Sequence, residues 1–157
     1  MTMTFSTLLR KFTAAAEAGD GAAFAACFTE NGAYHDVFYG TFRGREKISE
    51  MLTRFFHRDG ADFRWDMIDP IAASGRGYAR YLFSYRSLLP GREGRRVLFE
   101  GVAHCRLEDG LISDYAEVAN AAAGLSLLGF DAARLARFTA RQAAELTARP
   151  ESARHLA

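Results

Sequence analysis

The 157-residue chain reads as an α+β fold, with helices packed on one face of a curved, mostly antiparallel sheet. Three observations predict it. Apolar residues recur at helical spacing through the first third, the period changes to two after "DGAD" (59–62), and helical character returns beyond Asn120. Length and composition fit one domain with no second one needed, and 13 phenylalanines point to a core or pocket lined by rings.

Between Phe5 and Phe28, Leu8, Leu9, Phe12, Ala15, Ala16, Phe24 and Cys27 keep helical spacing, interrupted at "AGDGAA" (18–23). The expectation is a helix, a tight turn and a shorter helix capped by Asp20. "AYHDVF" (33–38) predicts a short strand, and "GREKISEMLTRFFHR" (44–58) an amphipathic helix burying Ile48, Met51, Leu52 and Phe55. Four strands come next, at 63–72, 77–89, 95–108 and 111–118, joined in part by the hairpin-like "PGREG" and "EDG". Asp131 is placed to cap a final helix over 132–148, whose Leu135, Phe138 and Leu146 make either a lid on the sheet or an oligomer contact.

Twenty Lys plus Arg against nineteen Asp plus Glu leave a formal charge of +1, so no global field attracts nucleic acid or an anionic membrane. The run "GREGRR" (91–96) reads as a solvated hairpin tip. Cys27 and Cys105 lack CxxC or Cys/His ligand spacing, which predicts reduced core thiols and neither a metal site nor a disulfide. The N-terminal segment lacks the pattern of a leader, and no apolar run is long enough to span a bilayer, so a cytoplasmic protein is expected.

Side chains alternate across a strand, which sorts each segment into two faces. Trp65 and Met67, then Ala79, Tyr81, Phe83 and Tyr85, then Val97, Phe99, Gly101, Ala103 and Cys105, fall on the inner face, as do Ser113, Tyr115 and Glu117. Arg80, Leu82, Arg86, Glu100, Val102, His104, Ile112, Asp114 and Val118 fall on the outer one, with Tyr78. Small residues among large rings leave space that helices fill or that stays open as a pocket. Asp36, flanked by Tyr34, Phe38, Tyr39 and Phe42, either meets such a pocket or is a strand-end carboxylate held by backbone N–H groups or by Arg43 or Arg45. His35 alternates away from Asp36, and His57 sits near a helix end.

The order of elements, and above all "YHDVFYGTFRGREKI" with "FEGVAHCRLEDGLISDY", resembles the nuclear transport factor 2-like superfamily over about residues 5–120. Ketosteroid isomerase, the SnoaL-like polyketide cyclases, scytalone dehydratase and limonene epoxide hydrolase belong there. The resemblance implies a cone-shaped sheet around the N-terminal helices, a domain over 1–120 and a helical extension over 121–157. Asp36 falls on the isomerase's proton-shuttling aspartate, with Val37 for its proline, whereas Phe12 and Ala103 replace its oxyanion tyrosine and protonated aspartic acid. Substitute donors would come from Tyr81, Tyr85 or Tyr115, and Glu117 occupies a last-strand position that is often acidic in SnoaL-like proteins.

The resulting expectation is an Asp36/Glu117 acid/base pair with Tyr115, across a cavity lined by Tyr34, Phe38, Phe55, Trp65, Met67, Tyr81, Phe83, Tyr85, Phe99 and Ala103. Such a protein would be a cofactor-free isomerase, cyclase or dehydratase for a hydrophobic cyclic molecule, using no metal. The alternative is a non-catalytic module that binds an apolar ligand or a partner. The interleaved outer face also predicts a homodimer.

Overall fold

The computed structural model describes residues 3–157. Two helices, α1 (Phe5–Ala18) and α2 (Gly21–Ala25), are joined by a turn in which Gly19 takes a left-handed φ of 72°. Asp20 caps α2, its carboxylate accepting the Ala23 N–H at 2.9 Å. Strand β1 (Phe28–Asp36) begins five residues earlier than its apolar run suggests and ends on Asp36. It pairs with a short strand β2 (Gly40–Arg43), which the periodicity does not reveal because four residues are too few to show alternation.

Helix α3 (Arg45–Met51) then widens into a π-helical stretch (Leu52–Phe56) before a last turn, α4 (His57–Asp59). The π stretch inserts one residue into the helical repeat and rotates the side chains beyond it. Phe56 therefore points into the core at 8% exposure, and Phe55, expected there, lies half-buried against Tyr39 and Phe42.

The long strands β3 (Gly60–Ala73), β4 (Arg76–Ser87), β5 (Arg96–Glu108) and β6 (Leu111–Ala119) complete a six-stranded sheet in the order β2-β1-β6-β5-β4-β3. Only β1 and β6 run parallel. Register shifts in β3 coincide with Asp62 and Asp69, both at positive φ, and bend the sheet around α1. A further shift at Arg106/Leu107 brings Ile112, expected outside, fully into the core.

The apolar face of α1 meets the concave face of the sheet, and Phe12 is wholly buried between Phe24, Trp65 and Tyr115. Gaps expected from small residues are mostly closed by neighbours. A Cβ on Gly77 would meet the Phe5 ring at 2.5 Å, and one on Gly124 would run into the Phe99 ring. Cys27 and Cys105 are buried free thiols.

Two further helices follow, α5 (Ala121–Leu127) and α6 (Ala132–Thr147), the latter capped by Asp131, which accepts the Arg134 N–H at 2.8 Å, and a 3-10 helix (Pro150–His155) comes after them. Arg92 of "GREGRR" is not a solvated tip. Its guanidinium donates to the Gly129 carbonyl at 2.6 Å and lies over the Phe130 ring, fastening the corner between α5 and α6. No helix among the described residues is long and apolar enough to cross a membrane.

Candidate functional site

Asp36 closes β1, and its Oδ1 accepts the N–H groups of Phe38 at 2.8 Å and Tyr39 at 2.9 Å, which shapes the turn into β2. Neither arginine holds it. Arg45 donates instead to the Phe28 carbonyl, at 2.9 and 2.7 Å, and Arg43 is exposed. Burial pushes the Asp36 pKa up, against the lowering effect of the two backbone bonds. Both readings of this carboxylate are thus realised at once: it ties down a turn and also lines a cavity.

Glu117 stands near the end of β6 with both oxygens engaged. Tyr81 donates to Oε2 at 2.7 Å and Tyr115 to Oε1 at 2.8 Å. Gly101 makes this possible, because a Cβ there would lie 2.7 Å from the Tyr81 hydroxyl oxygen, a place only hydrogen leaves open. Tyr34 stacks on Tyr115 with ring centres 4.7 Å apart. Burial, and next the Asp36 charge, raise the Glu117 pKa to about 7, while the Tyr81, Tyr115 and Tyr34 hydroxyls pull it the other way. A carboxyl poised there can give or take a proton at neutral pH.

Between these groups lies an inner hollow of about 60 Å³. Tyr34, Phe38, Trp65, Tyr81, Phe83, Tyr85 and Phe99 line it as expected, with Asp36 and Glu117. Three further candidates do not. Phe55 is replaced by Phe56, Ala103 is buried without reaching the hollow, and Met67 lines a separate groove beside α1. Tyr115 stands behind Glu117 and acts on it rather than facing the hollow.

Sequence reasoning missed Tyr39, Asp59 and Phe63. Tyr39 donates to Asp59 Oδ2 at 2.6 Å, and Arg58 grips the same carboxylate at 2.7 and 2.8 Å, holding its pKa down. Twenty residues separate that tyrosine from its acid, so no local pattern announces the pair. Phe63 was legible by extending the alternation of Trp65 one step back.

Asp36, Val37, Phe38, Tyr39, Glu117 and Ala119 also line an outer cleft of about 1010 Å³, closed on its far side by α6. The two carboxyls therefore stand at the boundary of a small apolar hollow and a wide polar cleft. His35 stays outside the hollow, bonded to Asp114 and Thr41, both at 2.9 Å. His57, another helix-end residue, bonds the Ala16 carbonyl at 2.8 Å. Among the described residues no group of three or more His, Cys, Asp or Glu side chains could hold a metal ion.

Residues 9–115 match the model of the SnoaL-like domain. The chain belongs to the SnoaL-like family. Solved structures similar to this SnoaL-like chain include a Catenulispora acidiphila protein with a ketosteroid isomerase-like fold in complex with trimethylamine. It shares 17% identity with a TM-score of 0.72, over 82% of this chain and 96% of that one. TsrD from Streptomyces laurentii shares 23% identity with a TM-score of 0.67, over 79% and 93%. An LEH-like epoxide hydrolase from M. tuberculosis shares 16% with a TM-score of 0.63, over 77% and 86%. These likenesses establish the nuclear transport factor 2-like fold. No curated protein matches the chain.

Proposed function

We propose that this SnoaL-like chain performs cofactor-independent acid/base chemistry, as an isomerase, cyclase or dehydratase, on a hydrophobic cyclic molecule. The observation that supports this most is the placement of Asp36 and Glu117 at one boundary, both with pKa values raised by burial. Burial of both carboxyls, and for Glu117 the Asp36 charge as well, disfavours ionisation, so one member can hold a proton near neutral pH while the other is charged. The ionised member removes a proton from a carbon next to a carbonyl, the protonated member donates to the carbonyl oxygen, and reversal at another carbon returns both protons. A cyclic body is too large for a hollow of about 60 Å³ and would lie in the cleft under α6, with its reacting edge at the carboxyls.

The test is hydrogen–deuterium exchange at the α-carbons of a panel of steroid and polyaromatic ketones. Glu117→Gln and Asp36→Asn should each slow exchange by about 100-fold or more. Exchange that is absent in the wild type, or as fast in both variants as in the wild type, removes catalysis and leaves a ligand-binding module, which the small hollow favours.

A homodimer through the outer sheet face belongs to the same proposal, supported by Tyr78 at 46%, Val102 at 42% and Val118 at 67% exposure around the Arg80–Glu100 pair at 3.1 Å. Val118→Arg should yield a monomer by sedimentation. The buried free thiols Cys27 and Cys105 favour a reducing cytoplasm.

A further inference from the structure

We propose that the inner hollow is a receptor for a compact organic cation, a methylated ammonium head group, whose attached body extends past Asp36 and Glu117 into the outer cleft. This names a substrate class for the proposed acid/base chemistry and rests on it.

The composition of the wall carries the inference. Ten of its sixteen residues are aromatic and three are Asp36, Asp59 and Glu117, while none is Lys, Arg or His. Ring faces carry the negative end of the aromatic quadrupole, so a wall of rings and carboxyls presents one sign of potential inward. Arg58 neutralises Asp59 from outside, which leaves Asp36 and Glu117 without a cationic partner. No cation lines the wall beside them, and a bound ammonium would supply the counter-ion.

Charge excludes anionic ligands, although the Trp65 indole N–H is buried without a partner and stays free for a neutral acceptor. Tyr81 and Tyr115 already donate to Glu117, and Tyr39 to Asp59. A carboxylate or phosphate entering here would meet carboxyl groups with these hydroxyls already committed, and would be repelled. A methylated ammonium has few or no N–H groups to satisfy and is held by ring faces and charge alone. About 60 Å³ excludes any ring system, which keeps the attached body in the outer cleft. The outer cleft does not duplicate this selectivity, because Arg141 and Arg149 on its far wall are balanced by Glu145 and Glu151.

The experiment titrates the full chain at pH 8 by NMR with choline and with 3,3-dimethylbutan-1-ol, in which carbon replaces the nitrogen at nearly the same shape. Choline should bind about tenfold tighter or more. Asp36→Asn keeps the Oδ1 acceptor for Phe38 and Tyr39, and should bring the two affinities to near parity. Phe83→Leu should weaken choline more than the alcohol. Equal affinities in the wild type, or a tighter alcohol, overturn the cation assignment and leave the acid/base reading intact. Failure of both probes to bind overturns the hollow as a receptor, whereas the acid/base reading, whose substrate lies in the cleft, falls only with the exchange experiment. The wild-type comparison needs no variant to fold.

Discussion

The two ends of the concave interior are built from the same kinds of ring and end up in opposite states. At the α1 end, Phe12 lies 4.6 Å from Phe24, 4.9 Å from Trp65 and 5.1 Å from Tyr115, and the space is closed. At the other end, Phe56, Phe63, Phe83 and Tyr85 surround a hollow. Tyr115 belongs to both, its ring stacked on Phe12 and its hydroxyl bonded to Glu117. The difference is the carboxyls. Rings alone can approach until no gap remains, whereas a buried carboxyl must keep its hydrogen-bond geometry and resists being packed over.

The largest test of this contrast is Phe12→Ala, which should cost about 3–5 kcal/mol in urea unfolding because the closed end has no slack to absorb a cavity. A loss near 1 kcal/mol would mean that end is not the tightly packed one. Next comes Glu117, whose folded pKa of about 7 lies above its ordinary 4.5. Its contribution to stability is fully present below about pH 4.5 and is lost as pH rises through about 7, because the folded state binds the proton more tightly than the unfolded one. Wild type should therefore melt higher at pH 5 than at pH 8 from this group, and Glu117→Gln should flatten that slope and be the more stable protein at pH 8. A slope unchanged in the variant would show that the carboxyl is not shielded from water.

Gly101→Ala should cost about 1–3 kcal/mol by crowding the Val118 carbonyl and the Tyr81 hydroxyl. It should also raise the Glu117 pKa above about 7, since that hydroxyl lowers it. Carbon-13 titration of the carboxyl reads the shift, and no shift would deny the Tyr81 bond its role. The smallest effect belongs to Arg92→Ala, worth about 1 kcal/mol, with faster amide exchange confined to residues 121–147. Exchange unchanged there would detach Arg92 from the corner it is placed to fasten.

Much of the fold is legible in the sequence because its signals are local. The caps Asp20 and Asp131, the four long strands and the inward set from Trp65 to Tyr85 all derive from spacing within one segment. Alternation alone places Glu117 on the correct face. The failures have a common cause. Helical spacing prefers Phe55 to Phe56 because it does not foresee the π stretch that breaks the 3.6-residue period, and alternation puts Ile112 outside because a register shift against the partner strand reverses it. Arg92 reads as solvated because its acceptor is 37 residues away.

The sequence by itself determined where helices and strands lie and which side of each strand carries the rings, since both depend on periods of two or 3.6 residues along one stretch of chain. Only the tertiary structure decided that Asp36 serves a turn and a cavity together, that Glu117 is gripped by two tyrosines, and that the interior closes at one end and stays open at the other. Hydrogen-bond partners, desolvation and leftover volume arise between segments far apart in the chain, so no single stretch of it carries them.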